Sequence, residues 1–413
     1  MQHLENAALN RWLRLALALQ LLVLGLLAVP AQAANTTTLP KNVFILDAAW
    51  MDATTEQAWD DARQPQSLLQ GIQRYEPGGG LQGTITAQPK AQFRLLVPQI
   101  LYGLTDDVTL ALGMPVVTSI AIDPRLGWTP GVYQPSLGRP YSEDDFWQWA
   151  KSMGQKKPTS YTADAAMADM VLGLRWRLPP IAFLDRAGVK AAAALQVALP
   201  TGKPADPEEL VGAGTTLWDL HNYGDVEVHL GFDRPLTWGG VNRINFGADI
   251  YYSWLRAREM VSPTGSKNPL LLTHSPYIGE KWTLDPGDFL GFIGSVELVP
   301  LVGPTWSSFI SGHKIERARS FPPLLTVSLA HNYVRVGQTR FESASKIWSW
   351  DREKIWKPGD KNTVRLGAEL SLLRLGLPLQ FYAGYRDQEW VPGRNTRAAN
   401  ILSFGARLML RFW

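Results

Sequence analysis

From about residue 90 onward, apolar side chains recur at every second position in segments of roughly ten residues, the weak but repeated signature of membrane-spanning strands. Val108, Leu110, Leu112, Met114 and Val116 alternate with Thr109, Ala111, Gly113 and Pro115. Val226, Val228, Leu230 and Phe232 alternate with Asp225, Glu227, His229 and Gly231, and Ile244 to Trp254 repeats the pattern. Val364, Leu366, Ala368, Leu370 and Leu372 face away from Arg365, Gly367, Glu369 and Ser371. The last segment sets Leu402, Phe404, Ala406, Leu408, Leu410 and Phe412 against Ser403, Gly405, Arg407 and Arg411. Less regular runs cover 90–103, 166–178, 188–200, 288–299, 304–317, 323–335, 339–350 and 377–390.

A soluble sandwich also alternates, so the connections have to decide. Short turns at 104–106, 179–187, 235–240, 300–304, 336–337 and 375–376 alternate with loops at 120–165, 201–221, 256–287, 318–322, 351–361 and 391–398. An outer-membrane barrel has this asymmetry between its two ends. Trp176, Trp238, Trp254, Trp306, Trp348, Trp350 and Trp390 fall near segment ends, where an interfacial girdle sits. The expectation is an all-β, antiparallel transmembrane barrel with long external loops. Thirteen segments are recognisable from residue 90, and single-chain barrels have even strand numbers, so one more is expected within 66–85. That gives fourteen strands, with twelve as the alternative.

The N-terminus has a different pattern. Arg11 and Arg14 precede an apolar run from Leu15 to Val29, followed by Pro30 and Ala31-Gln32-Ala33. This is the order of a cleaved secretory signal over 1–33, too short for a spanning helix. Residues 34–65 are polar apart from Val43-Phe44-Ile45-Leu46 and read as a leader or a plug, leaving 66–413 for the barrel. Export implies the outer membrane of a Gram-negative bacterium, with the C-terminal strand presented to the barrel-assembly machinery and lipid and lipopolysaccharide around the wall.

Composition narrows the chemistry. The 413 residues include 17 Trp and no Cys, which excludes disulfides, thiol nucleophiles and thiolate metal sites. With 40 basic and 37 acidic residues the formal charge is only +3, so nothing points to nucleic acid. On the polar faces, Arg175, Arg177, Lys190, Asp225, Glu227, His229, Asp249, Glu297, Arg365, Glu369, Arg386 and Arg407 point into the lumen. Their mixed signs fit a cross-braced wall better than a dedicated ion pathway.

Tyr102-Gly103-Leu104-Thr105-Asp106-Asp107, Ala198-Leu199-Pro200-Thr201-Gly202 with Trp218-Asp219 beyond it, Asp285-Pro286-Gly287-Asp288 and the ending from Pro392 to Phe412 together resemble the phenol-degradation meta-pathway outer-membrane proteins. The long first external loop, Leu220-His221-Asn222 and the terminal Trp413 depart from that pattern. The chain is similar, more loosely, to the long-chain fatty acid transporters, which combine fourteen strands with an N-terminal plug. The resemblance implies movement of hydrophobic or aromatic compounds and supplies no catalytic residues.

The common catalytic and nucleotide-binding signatures are absent. Asp219, His221, Asp225 and His229 form one polar cluster, and Asp225, Glu227 and His229 share a strand face. That trio reads as a polar ladder before a metal or proton-transfer site. Ser328 and His331 lie on opposite faces of one segment, which leaves a lipid hydrolase without support. In the first long loop, Ser142 and Asp145 make a capping box before Phe146, Trp149, Ala150 and Met153 on one helical face. Trp128 and Tyr141 are neighbours in sequence, so Trp128, Tyr141, Phe146, Trp149 and Met153 are the candidate hydrophobic-ligand residues. The expected function is passive uptake of small hydrophobic solutes, aromatic or fatty-acid-like, with no enzymatic activity, metal or cofactor. A general or solute-specific porin is the alternative, ahead of a lipid hydrolase or a structural barrel.

Overall fold

The alternating segments pair with their sequence neighbours until the sheet meets its own first edge. The computed structural model describes residues 36–411 except 69–71, 77–78, 132, 135–136, 153–156, 158, 164–165, 203–224, 239–240, 262–280, 304–308, 311–312, 315–321 and 344–356. The wall consists of β1 (Val43–Trp59), β2 (Lys90–Gly103), β3 (Val108–Gly113 and Val116–Asp123), β4 (Tyr161–Ala163, Ala166–Met167 and Met170–Arg177), β5 (Lys190–Leu199) and β6 (Val226–Trp238). It continues with β7 (Val241–Trp254), β8 (Phe289–Leu301), β9 (Leu325–Val336), β10 (Gly359–Ser371), β11 (Leu379–Asp387) and β12 (Thr396–Arg411). Neighbours are antiparallel, and β12 returns to β1 from Val43↔Arg411 to Trp59↔Thr396. Twelve strands therefore close the barrel and satisfy the backbone groups without a free edge, as a lipid environment requires.

The count is the alternative number, not fourteen. Residues 304–317 contribute only the short pair Phe309–Ile310 and His313–Lys314 among the described residues. Residues 339–350 contribute Arg340–Ser343 to a separate three-stranded sheet with Arg258–Val261 and Lys281–Asp285. Nor does 66–85 add a wall strand. Ile72–Tyr75 and Leu81–Ala87 join Leu126–Pro130 in another small sheet. Alternation marks any two-faced strand, so it could not tell these accessory hairpins from wall strands. The leader-or-plug expectation for 34–65 is also corrected, because Val43–Trp59 is a complete wall strand between β12 and β2. Its signal was hidden by small and acidic residues, from Asp47 to Glu56, in both registers.

The outward faces of β6 to β12 carry the apolar band. Phe246, Ile250, Phe292, Leu329, Leu366, Leu402 and Phe404 are all exposed. Trp176 and Trp238 mark one end of the band and Trp254 and Trp390 the other, each with an exposed ring; Trp306, Trp348 and Trp350 lie outside the described residues. Turns 104–107 and 372–378 lie at the end that holds both chain termini of the wall, and most long connections lie at the other. The connection 302–324 breaks the expected rule, being long at the short-turn end. In the 372–378 turn, Gly376 takes φ 82°, a left-handed conformation that closes the short helix Leu373–Leu375.

The inward face is divided. On the long-loop half of β1, β2, β3 and β12 it is apolar: Met51, Ala53, Phe93, Leu95, Val117, Ile120, Ala399 and Ile401 form one buried cluster. Leu68 and Ala87 from the 60–89 connection pack into the same cluster. β3 is interrupted beside it, since Pro115 has no N–H to give, and the Met114 N–H instead bonds the Pro98 carbonyl at 3.0 Å. On β6, β7 and β10 to β12 the inward positions are charged.

Candidate functional site

The charged lumen is built by the same period of two that puts the apolar band outside. On β6, Glu227 and His229 point inward together, and the facing strand β7 brings Asp249, Tyr251 and Ser253 to the same face. His229 Nε2 lies 2.6 Å from Glu227 Oε1, and Nδ1 lies 3.0 Å from Asp249 Oδ1. Tyr251 stacks on the imidazole at 5.1 Å between centroids and shares a 3.2 Å hydrogen bond with Asn332 of β9. Ser253 Oγ donates to the second Glu227 oxygen. With both ring nitrogens engaged, His229 ties two carboxylates together across β6 and β7, and no group of three such side chains arranged to hold a metal occurs among the described residues. Asp225 lies apart at the rim, where it accepts the Arg256 N–H at 2.9 Å; Asp219 and His221 lie outside the described residues.

A second brace lies nearer the short-turn end. Arg407 of β12 donates to Asp47 of β1 at 3.1 Å and to Glu369 of β10 at 2.7 Å. The Tyr382 ring of β11 lies 4.3 Å beneath the guanidinium, and its hydroxyl donates to Asp47 at 2.8 Å. The ring reaches this place because Gly405 has no Cβ, which would stand 2.4 Å from it. Arg365 and Arg386 are also inward and directly opposite one another on β10 and β11.

Arg175 and Arg177 of β4 hold the chain before β1. Arg175 reaches the Thr37 carbonyl at 3.5 Å, and Arg177 donates to the Thr38 hydroxyl at 3.1 Å through Nε. Thr36 donates from its backbone and its hydroxyl to Asp233 of β6, at 2.7 and 2.5 Å. Since β6 stands five places round the wall from β1, the segment from Thr36 to Asn42 crosses the barrel mouth at the short-turn end. Sequence periodicity gave no sign of this strap, which has no repeating pattern.

The other candidate cluster is outside the wall. Helix α1 (Glu143–Ser152) starts with the expected box: Ser142 Oγ accepts the Asp145 N–H at 3.2 Å, and Asp145 accepts the Ser142 N–H at 2.8 Å. The Arg139 guanidinium and the Ser142 hydroxyl hold the Asp145 carboxyl well below the usual carboxylate range. Phe146 and Ala150 of α1 pack with Tyr141 on Ile85 of the small sheet, with Trp128, Trp147 and Trp149 around them. Trp128 donates from Nε1 to the Tyr141 carbonyl at 3.1 Å, and Arg74 lies 3.5 Å over the Trp149 ring. Thus Trp128, Tyr141, Phe146 and Trp149 do come together, around a closed miniature core with Trp147 and Trp149 half-buried at its margin. Met153 lies outside the described residues. A separate open cleft of about 580 Å³, lined in part by Trp254, Leu255, Asp288 and Arg340, lies at the long-loop rim and was not marked in the sequence beyond its loop.

Comparison with solved structures supports the architecture. The chain is similar to an outer membrane channel of Pseudomonas putida F1, with a TM-score of 0.53 and 10% identity over 92% of this chain and 99% of that one. At that identity the likeness is one of fold. The toluene transporter TbuX of Ralstonia pickettii (9% identity, 92% of each chain) and a FadL homologue of Pseudomonas aeruginosa (10% identity, 92% and 93%) align with TM-scores of 0.34. No protein-family model matches the sequence, so the resemblance to phenol-degradation proteins has no support from sequence comparison. No curated protein matches it either. The fold is that of an outer-membrane barrel.

Proposed function

We propose that this protein is a passive outer-membrane channel for small hydrophobic compounds. The observation that carries the reading is the divided inner wall, with Phe93, Leu95, Ile120 and Ile401 inward on one side and paired charges on the other. A water-filled porin is polar inside, and inward apolar residues on four strands depart from that pattern. The paired charges keep the wall rigid: Arg407 joins carboxylates on β1 and β10, and His229 joins carboxylates on the neighbouring strands β6 and β7. In this reading α1, with Trp128, Tyr141, Phe146, Trp149 and Met153, is the receiving surface. The half-buried Trp147 and Trp149 rings are the contact face. Export would follow removal of residues 1–33, with membrane lipid, lipopolysaccharide and the assembly machinery as the surrounding partners.

The test is early uptake, in cells expressing the protein, of an apolar fluorescent probe and a size-matched hydrophilic one, with the intact chain and a chain lacking 142–153. Faster entry of the apolar probe alone, reduced by the deletion, is the expected result. The porin reading draws on the charged wall of β6, β7, β10 and β11, and it predicts that the hydrophilic probe enters regardless of the deletion.

A further inference from the structure

Among the described residues, the three inward cations of β10 and β11 have none of the ion pairs that brace Arg407 and His229. Lys361 and Arg365 are inward on β10, and Arg386 faces Arg365 on β11. None of the three has a hydrogen bond or ion pair with any described residue, although Arg386 is only 7% exposed. The carboxylates of the same two strands are engaged elsewhere. Asp360 is held by Arg63 and Arg394, Asp387 accepts the Glu389 and Trp390 N–H groups, and Glu369 is bound to Arg407. Like charges directly opposite on neighbouring strands repel, and a guanidinium withdrawn from water without a partner is costly. The arrangement therefore favours an anion arriving from outside the chain.

The surroundings indicate what kind. Toward the short-turn end the next inward positions are Gly367 and Gly384, and the Ser328 and Ser403 hydroxyls lie over them where a Cβ would stand, so hydroxyls and no bulkier side chain follow the guanidinium pair on these two strands. Around the wall the same rung of inward residues runs from Arg365 and Arg386 to Ile401, Ala53 and Phe93, so the cations stand at the margin of the apolar face. We propose that Arg365 and Arg386, with Lys361 above them, form an anion-selecting step in the lumen for apolar solutes that carry a single carboxylate. The planar fork of arginine suits that group. This rests on the channel reading and adds the substrate class to it.

The test compares early uptake of the fluorescent 2-naphthoate with that of its neutral analogue 2-naphthylmethanol, in cells carrying the full chain, the R365Q/R386Q variant, the R365K/R386K variant or no channel. Folded protein is quantified by its heat-dependent gel mobility. The charge-removing pair is expected to lower naphthoate entry by about tenfold or more, the scale of one lost charge-assisted contact, and to leave the alcohol unchanged. The lysine pair should restore most of the naphthoate rate. Undiminished naphthoate entry in R365Q/R386Q, or an equal fall for both probes, would overturn the proposal and make these cations structural. If the intact chain speeds neither probe over cells without it, the channel reading itself fails, and the inference with it.

Discussion

At the residue scale, some inward charges are braced by ion pairs and others are not. Arg407 is the hub of the β12–β1–β10 brace, and Asp47 is 5% exposed. Removing the cation leaves a buried carboxylate unpaired, so Arg407→Gln should cost about 3–5 kcal/mol, read as a lower urea midpoint in refolded protein. The alternating pattern exposed Arg407 and Glu369 as inward residues, but not that Asp47 is the second carboxylate on Arg407, because β1 was read as a leader. In the cap, Ser142→Ala should cost about 1 kcal/mol of local stability, seen as faster amide exchange across 143–152. Asp145 adds a pH dependence to the same helix. Its folded-state carboxyl titrates below the unfolded value of about 3.9, so its contribution is present above that value and is lost as pH falls through the folded one. Protection factors over 143–152, in which the intrinsic pH dependence of exchange is divided out, should fall on acidification, and Asp145→Asn should remove that fall.

At the scale of elements, strands with one apolar and one charged face were legible, and β6, β7, β10 and β12 lie where their periodicity puts them. What misled was alternation in strands that do not belong to the wall, and its weakness in one that does. Val43–Trp59 has small, acidic and apolar residues on both faces because its inner side meets the apolar cluster instead of water. Deleting 43–59 should therefore abolish the heat-modifiable barrel form, whereas a dispensable leader would leave it intact. The strap from Thr36 to Asn42 makes a separate prediction. Asp233→Ala removes both bonds to Thr36 and should raise single-channel conductance in planar bilayers; an unchanged conductance would mean that the strap does not narrow the mouth. The capping box of α1 was readable from Ser142 and Asp145 alone because it is local chemistry. The collapse of its aromatic face onto Ile85 was not, since Leu81–Ala87 reaches it from a distant part of the chain.

At the scale of the whole molecule, the closed wall, the apolar outer band and the divided lumen support the central proposal that hydrophobic solutes cross by diffusion through this barrel. A passive route needs no energy supply, and that separates it from any pumped or coupled process. The most direct measurement is the initial entry rate of an apolar fluorescent probe in cells with and without the protein, both treated with an uncoupler to collapse the proton gradient. The account predicts that expression still accelerates entry under the uncoupler, in proportion to probe concentration. Entry no faster than in cells lacking the protein, or an acceleration that disappears with the gradient, would contradict it.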